Sequence, residues 1–207
     1  LLHRSGTRLY VCCSMIEVVD NFAPQDYFEL IQNHVLSWHQ NWYYQENITA
    51  GVFGKSGLGK HGFNCHVIKN TNEFIDSYEA GLLTDLLVRM KNGIGCQNIV
   101  RSRLDMTVHT AGGMRFDPHV DSPHPHVATI FYLNDSDGST VIFNEKFEGS
   151  PEAMRAMSIE IDESKLTVQK EVEPKANRLL IFDGHYLHTG HAPAHHNNRV
   201  ILNSNFN

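Results

Sequence analysis

Two runs of apolar residues recur at the three-to-four-residue spacing of one helix face. The first run is Phe28, Ile31, Val35 and Trp38, and the second is Phe74, Tyr78, Leu82, Leu86 and Met90. They predict helices from about Gln25 to Trp38 and from about Glu73 to Met90. Pro24 suits the start of the first helix, because an N–H at that position has no helical partner in any case.

A short strand is predicted at Met15–Val19, and from Asn98 onward the pattern changes to short β-rich runs separated by turn residues. The candidate strands are Ile99–His109, Met114–Val120, Val127–Leu133, Ser139–Phe143, Leu166–Val172, Arg178–Phe182, His185–Leu187 and Arg199–Phe206. About eight short strands after a helical part predict a mostly β fold with N-terminal helices. The core is expected to be a double-stranded β-helix, that is, a cupin-like jelly roll.

The length of 207 residues fits one domain, with no repeat or linker along the chain. We interpret residues 15–97 as helical support and residues 98–207 as the jelly-roll core of a single domain spanning 1–207. Residues 1–14 carry no initiating Met, and the amphipathic pattern begins after Met15. Our hypothesis is that this segment is a leader that is not native.

Composition narrows the class of partner and the compartment. Lys and Arg total 17 against 23 for Asp and Glu, a formal charge of −6, which argues against a nucleic-acid partner. The four cysteines show no C-x-x-C pair and no regular spacing, so free thiols in a reducing, cytoplasmic setting are expected. No apolar run approaches the roughly 20 residues that span a bilayer, and no membrane partner is expected.

The segment Gly54–Lys60 resembles a phosphate-binding loop of the G-x-x-x-x-G-K-[ST] type. The next residue is His61, which cannot supply the hydroxyl that binds Mg²⁺. The residues after His61 do not have the pattern of a helix start, so no helix N-terminus would face a phosphate. We interpret the stretch from Gly51 to Gly62 as a flexible loop whose role stays open.

The segment with the most chemical content contains His119 and Asp121 in an H-x-D pattern. On a strand, residues two apart point to the same face, so an imidazole and a carboxylate would lie side by side. The best-placed third ligand is His188, with His185 as an alternative. Two histidines and one carboxylate form the facial triad of non-haem Fe(II) oxygenases, but a non-enzymatic cupin-like module could hold a metal through the same three residues.

Residues from about Asp105 to Asn207 resemble the catalytic core of the prolyl-hydroxylase branch of the 2-oxoglutarate oxygenases, including the hypoxia-factor prolyl hydroxylases. The matching pieces, in order, are His119-Val120-Asp121, Phe131-Tyr132-Leu133-Asn134, Val172-Glu173-Pro174-Lys175, Asn177-Arg178-Leu179-Leu180-Ile181-Phe182, His188 and Asn198-Arg199-Val200. Several motifs in the right order are more specific than any one of them.

The resemblance implies a role for each matching position. The iron ligands would be His119, Asp121 and His188. Arg199 would pair with the distal carboxylate of 2-oxoglutarate, a geometry that suits a guanidinium, and Tyr132 would donate its hydroxyl to the same group. The implied cofactor and cosubstrates are Fe(II), 2-oxoglutarate and O₂, with ascorbate as an optional reductant.

Two departures from the family pattern affect the details of cosubstrate binding. The position ten residues before the first ligand is often Tyr in this branch and is His109 here, although an imidazole could donate a similar hydrogen bond. Some relatives carry Ser two residues after the arginine, where this chain has Ile201. The expected reaction is hydroxylation of a C–H bond, with prolyl residues of a peptide or protein as the first expectation. A free amino acid or small metabolite is the alternative.

Overall fold

The computed structural model describes residues 16–48, 60–147, 149–150, 152, 161 and 163–207. These residues form two antiparallel β-sheets and two α-helices. Residues 1–14 and most of the loop from Gly51 to Gly62 lie outside the described residues, and so does most of the phosphate-loop-like segment.

The first sheet contains eight strands and the second contains four, counted over the described ranges. The strands are β1 Ile16–Asp20, β2 Tyr43–Gln45, β3 Gly62–Asn70, β4 Glu73–Phe74, β5 Ile99–Val108, β6 Met114–Arg115, β7 Val127–Tyr132, β8 Thr140–Lys146, β9 Val168–Val172, β10 Arg178–Asp183, β11 Tyr186–Ala192 and β12 Asn198–Phe206, and a 3-10 helix covers Glu163–Lys165. The large sheet has the order β1-β10-β7-β12-β5-β3-β2, with β4 paired to β3. The small sheet has the order β6-β11-β8-β9.

The two helices cover one face of the large sheet. Helix α1, Gln25–Val35, begins where the pattern predicted but ends before Trp38, whose side chain is 87% exposed. Helix α2, Tyr78–Ile94, begins later than predicted, because Glu73–Phe74 pairs with β3. Ser77 caps its N-terminus, accepting from the backbone N–H of Ala80 at 3.1 Å.

The predicted strands after residue 98 are largely confirmed, with two main differences there and one strand missed before residue 98. The strand expected at Met114–Val120 is wrong beyond Arg115, since β6 ends there and Pro118, which has no N–H, interrupts the ladder. Strand β11 runs on to Ala192, well past the predicted end at Leu187. Strand β3 was not predicted, and it lies next to β5 in the large sheet.

Apolar side chains form a core on each side of the large sheet. The first core packs helix residues such as Ile31 and Leu86 against sheet residues such as Leu104 and Leu202. The second core lies between the two sheets and is built from Ala128, Ile130, Tyr132, Ile142, Val172, Leu180, Phe182, Tyr186 and Ile201. Burial of this kind is the main stabilising contribution to the fold.

The face of β5 and β12 that points away from the helices is polar. Leu104, Leu202 and the hydrogen-bonded pair Ser102–Ser204 occupy the helix side, so the alternate residues face the small sheet. The register pairs Arg101 with Asn205, Arg103 with Asn203, Asp105 with Ile201, and Thr107 with Arg199. Charged side chains therefore enter the space between the two sheets.

Among the described residues, no helix is long and apolar enough to cross a membrane.

Candidate active site

The structure brings together the three residues that were expected to bind a metal. One ligand atom from each of His119, Asp121 and His188 lies within 4.8 Å of the other two. His188 is on β11, and the other two residues lie on the loop between β6 and β7. His185 does not belong to this group.

Two backbone hydrogen bonds hold the two histidines next to each other. The N–H of each residue donates to the carbonyl of the other at 3.0 Å, which forms an isolated antiparallel bridge. This bridge replaces the continuous strand that the sequence predicted around His119. It brings the imidazole centroids to 4.7 Å from one another.

Each imidazole is also oriented through its Nδ1 atom. Nδ1 of His119 is 2.9 Å from the carbonyl oxygen of Asp117, and Nδ1 of His188 is 3.1 Å from the carbonyl oxygen of Tyr186. A carbonyl oxygen can only accept, so both Nδ1 atoms carry a proton, and in a neutral ring Nε2 then keeps the lone pair that a metal needs. The neutral tautomers are thus set for metal binding through Nε2.

The carboxylate of Asp121 is held by side chains. Arg101 on β5 donates from Nη2 to Oδ1 at 2.9 Å. With its amide nitrogen turned toward Asp121, Asn205 on β12 donates to Oδ2 at 3.1 Å. Burial alone would raise the pKa of Asp121, but the charge of Arg101, and then the neighbouring His188 and His119, lower it well below its usual range. Asp121 is therefore ionised at neutral pH.

His188 is buried against the ring of Phe182, with ring centroids 4.9 Å apart. Burial, and then the neighbouring His119, lower the pKa of His188 to about 4. The ring is therefore neutral at pH 7, as a metal ligand must be. Two imidazoles and one carboxylate on one side of a point match the donor set that Fe(II) takes in a facial triad.

Arg199 lies in the same interior, 4% exposed, at the start of β12. Its Nη2 donates to the Thr140 hydroxyl at 2.7 Å, and its guanidinium carbon lies 5.7 Å from the centre of the Tyr132 ring. Among the described residues no carboxylate forms a salt bridge with it, and its buried Nε has no hydrogen-bond partner. A buried cation without an acidic partner is costly unless an anion binds there.

Tyr132 lies beside Arg199, as the resemblance implied, and its hydroxyl donates to Thr140 Oγ1 at 2.7 Å. Thr140 therefore accepts from both residues and keeps its own O–H for a further acceptor. Sequence reasoning missed Thr140, since its role depends on a contact between the two sheets.

His109 lies apart from this group. It is exposed just beyond the end of β5, and its backbone N–H donates to the carbonyl of Asn197 at 2.9 Å. Its predicted contact with the cosubstrate stays a prediction. Ile201, the other departure from the family pattern, is part of the apolar core between the sheets.

Solved structures with the same fold include two prolyl hydroxylases and an epimerase. The prolyl hydroxylase from Trichoplax adhaerens, in complex with a hypoxia-inducible-factor peptide, is 14% identical with a TM-score of 0.56 over 92% of this chain and 83% of its own. The Pseudomonas putida prolyl-4-hydroxylase is 15% identical, with a TM-score of 0.53 over 93% and 92%. The epimerase SnoN from nogalamycin biosynthesis, in complex with Fe³⁺ and α-ketoglutarate, is 9% identical, with a TM-score of 0.63 over 94% and 79%.

The family model of the 2OG-Fe(II) oxygenase superfamily matches residues 105–207, the part of the chain that carries all the groups described above except Arg101. The chain belongs to this superfamily and is a 2-oxoglutarate-dependent dioxygenase, with Fe(II) as cofactor and 2-oxoglutarate and O₂ as cosubstrates. No curated protein matches the chain in sequence.

Proposed function

We propose that this enzyme is a hydroxylase in which His119, Asp121 and His188 hold Fe(II) and Arg199 binds the distal carboxylate of 2-oxoglutarate. Thr140 and Tyr132 complete the cosubstrate pocket. The observation that carries the proposal is the buried guanidinium of Arg199, which has no acidic partner among the described residues and shares an interior with the three metal-binding side chains. A module that only bound a metal would have no use for that cation.

When bound, the iron supplies the oxidising chemistry, in which 2-oxoglutarate and O₂ yield succinate and CO₂ and one oxygen atom goes to the substrate. The protein's own contribution is position and charge. Carbonyl oxygens fix the ring orientation of both histidines, and Arg101 fixes the carboxylate. The buried guanidinium of Arg199 orients a dicarboxylate by charge-assisted hydrogen bonds in a site of low dielectric.

For the substrate we propose a prolyl-hydroxylase-like reaction on a peptide or protein. The support is the order of sequence motifs shared with the prolyl-hydroxylase branch. The Trichoplax adhaerens enzyme, which has the same fold, carries a bound peptide. An epimerase has this fold too, so the fold is compatible with other substrates, and the substrate must be tested directly.

We further propose that the two sheets form a double-stranded β-helix and that residues 1–207 make a single domain. In this arrangement residues 98–207 are the catalytic core, and the helices brace the large sheet. Cys65 and Cys96 are free thiols, which supports a reducing, cytoplasmic setting.

An anaerobic titration of the metal-free protein with Fe(II) and 2-oxoglutarate, followed by visible absorption, tests the proposed sites. A 2-oxo acid chelated to a facial-triad iron gives a weak charge-transfer band, and no further substrate is needed. We expect the band in the wild type and its loss in His119→Ala. Iron binding without a band in the wild type would refute the proposed cosubstrate site.

A further inference from the structure

The inner face of β3 and β5 carries a group of nitrogen-rich side chains that the proposed function does not use. Arg101 and Arg103 lie two residues apart on β5 and therefore share a face, and His66 on β3 is the register partner of Arg103. We call His66, Arg101 and Arg103 the β3–β5 cationic cluster. It lies beside the metal-binding group, because Arg101 donates to Asp121.

The pKa values of His66 and Arg103 reflect the charges around them. Burial, followed by the charges of Arg103 and Arg101, lowers the pKa of His66, which favours the neutral ring. Burial lowers the pKa of Arg103, but Asp105 and then Asp121 raise it above its ordinary value. Arg103 therefore stays charged and lies within electrostatic range of Asp121, with which Arg101 forms an ion pair at 2.9 Å.

Some buried polar atoms of this cluster make no hydrogen bond. Over the described ranges, Nε of Arg101 and Nδ1 of His66 are buried without a hydrogen-bond partner. Arg101 donates from Nη2 to Asp121. Arg103 donates from Nη2 to Asp105 at 3.1 Å and forms an ion pair with it, in which Nε makes no hydrogen bond. Buried polar atoms are rarely left unpaired in a finished structure, so a bound molecule is the natural partner for them.

The balance of charge indicates the kind of molecule. The cluster and its surroundings contain Arg101, Arg103 and Arg199 as cations and Asp105 and Asp121 as anions. Adding Fe(II) and the 2-oxoglutarate dianion, with the dianion directed to Arg199 and the metal, leaves one net positive charge in the interior. Fe(II), Asp121, the dianion and Arg199 together carry no net charge, and Arg103 is paired with Asp105. The unmatched charge is therefore that of Arg101 on β5, to which an anionic group is attracted.

We propose that the β3–β5 cationic cluster binds a carboxylate of the molecule that is oxidised. This inference rests on the proposed function and narrows its substrate class. The carboxylate can be the α-carboxylate of a free amino acid or that of the C-terminal residue of a peptide, and both would place a nearby C–H beside the metal.

The test uses protein loaded with Mn(II), a redox-inert stand-in for Fe(II), and saturating 2-oxoglutarate, with binding measured by isothermal titration calorimetry. The probes are the common free amino acids with their matched α-amides, and the N-acetyl amino acids with their matched amides. The first set represents a free amino acid and the second represents a peptide C-terminus. We expect at least one acid to bind about tenfold or more tightly than its amide, the usual effect of losing a charged hydrogen-bond partner.

A double variant, Arg103→Gln with Asp105→Asn, removes both charges of the pair and leaves no lone buried ion. We expect the acid-over-amide preference to fall to about onefold in this variant. Arg89→Gln, an exposed arginine on α2, is the matched control and should keep the preference. The Fe(II)–2-oxoglutarate absorption band of each variant reports whether its metal site is intact.

Two results overturn the inference: no acid outbinds its amide in the wild type, or the preference survives in a double variant that keeps the absorption band. The wild-type comparison requires no variant to fold. Failure of the proposed function would be recognised separately, because the wild type would then show no absorption band with Fe(II) and 2-oxoglutarate, before any acid is added.

Discussion

His119 and His188 exchange two backbone hydrogen bonds, each 3.0 Å long, where the loop after β6 meets β11. Main-chain atoms thus fix both histidines, whereas Asp121 depends on the side chains of Arg101 and Asn205. The three proposed ligands are therefore held in place by different kinds of contact. The carboxylate is the one whose position a substitution outside the metal-binding group can disturb.

Arg101→Gln should weaken metal binding. The change removes the charged donor to Asp121, and loss of such an outer partner costs about 10- to 100-fold in metal affinity. The measurement is a Mn(II) titration of the metal-free protein, with Arg89→Gln as a control on an exposed helix face. Wild-type metal affinity in Arg101→Gln would show that Asp121 is positioned without it.

Arg199→Met should separate cosubstrate binding from metal binding. The variant keeps the three metal-binding side chains but loses the buried cation, so 2-oxoglutarate affinity should fall by about 100-fold as two charge-assisted hydrogen bonds disappear. The Fe(II) affinity should stay at the wild-type value. Arg199→Lys, which retains a charge without the planar fork, is expected to lie between the two, and a Met variant that binds 2-oxoglutarate normally would defeat the assignment.

Asn177→Ala should lower the free energy of unfolding by about 2–3 kcal/mol. Asn177 has a positive φ of 63°, and its side chain accepts from the Ala23 N–H at 2.8 Å and donates to the Ala23 carbonyl at 2.9 Å. Two buried hydrogen bonds and the strain of Ala at positive φ account for this amount.

Urea denaturation measures this change, and Asn177→Gly is the matched control. Glycine tolerates the positive φ but lacks the side chain, so its loss relative to wild type isolates the two hydrogen bonds. A Gly variant as stable as the wild type would mean that these bonds add nothing.

Asp137→Asn should remove a part of the acid dependence of stability. Burial raises the pKa of Asp137, but hydrogen bonds from His196 and from the N–H groups of Ala194 and His195 lower it to about 2. A carboxyl group whose pKa is lowered on folding stabilises the fold above its unfolded pKa of 3.8. This contribution is lost as the pH falls through the folded value.

The stability difference between wild type and Asp137→Asn should therefore be about 1 kcal/mol at pH 5, after allowance for solvent screening. It should shrink toward zero near pH 2. Unfolding by urea at a series of pH values measures it. A difference that stays constant across this range would contradict the role of the ionised carboxylate.

Local spacing predicted much of the fold, and it failed where tertiary context decides. In β3, Phe63, Cys65 and Val67 alternate with Asn64 and His66, which is the pattern of a strand that was not recognised. The polar residues of this strand face the interior rather than solvent, as the structure shows. The start of α2 was placed too early for a similar reason. Phe74 fits the helical spacing, but its backbone pairs with β3 and it belongs to strand β4.

In the candidate site, too, local spacing suggested some residues and could not suggest others. The proposed metal ligands His119 and Asp121 are close in sequence, so spacing could suggest them. Arg101 lies 20 residues from Asp121, and Thr140 lies 59 residues from Arg199. Contacts of this range depend on which strands are neighbours and in what register, and neither can be read from a local pattern.

The metal-binding group also joins the two sheets. His188 belongs to the small sheet, while Asp121 is tied through Arg101 and Asn205 to β5 and β12 of the large one. An ion bound by these side chains would connect the two sheets. Because it binds the folded state, it would raise the free energy of unfolding. Melting temperature should then rise with metal concentration, and the supply of iron would govern how long the folded enzyme persists as well as whether it turns over.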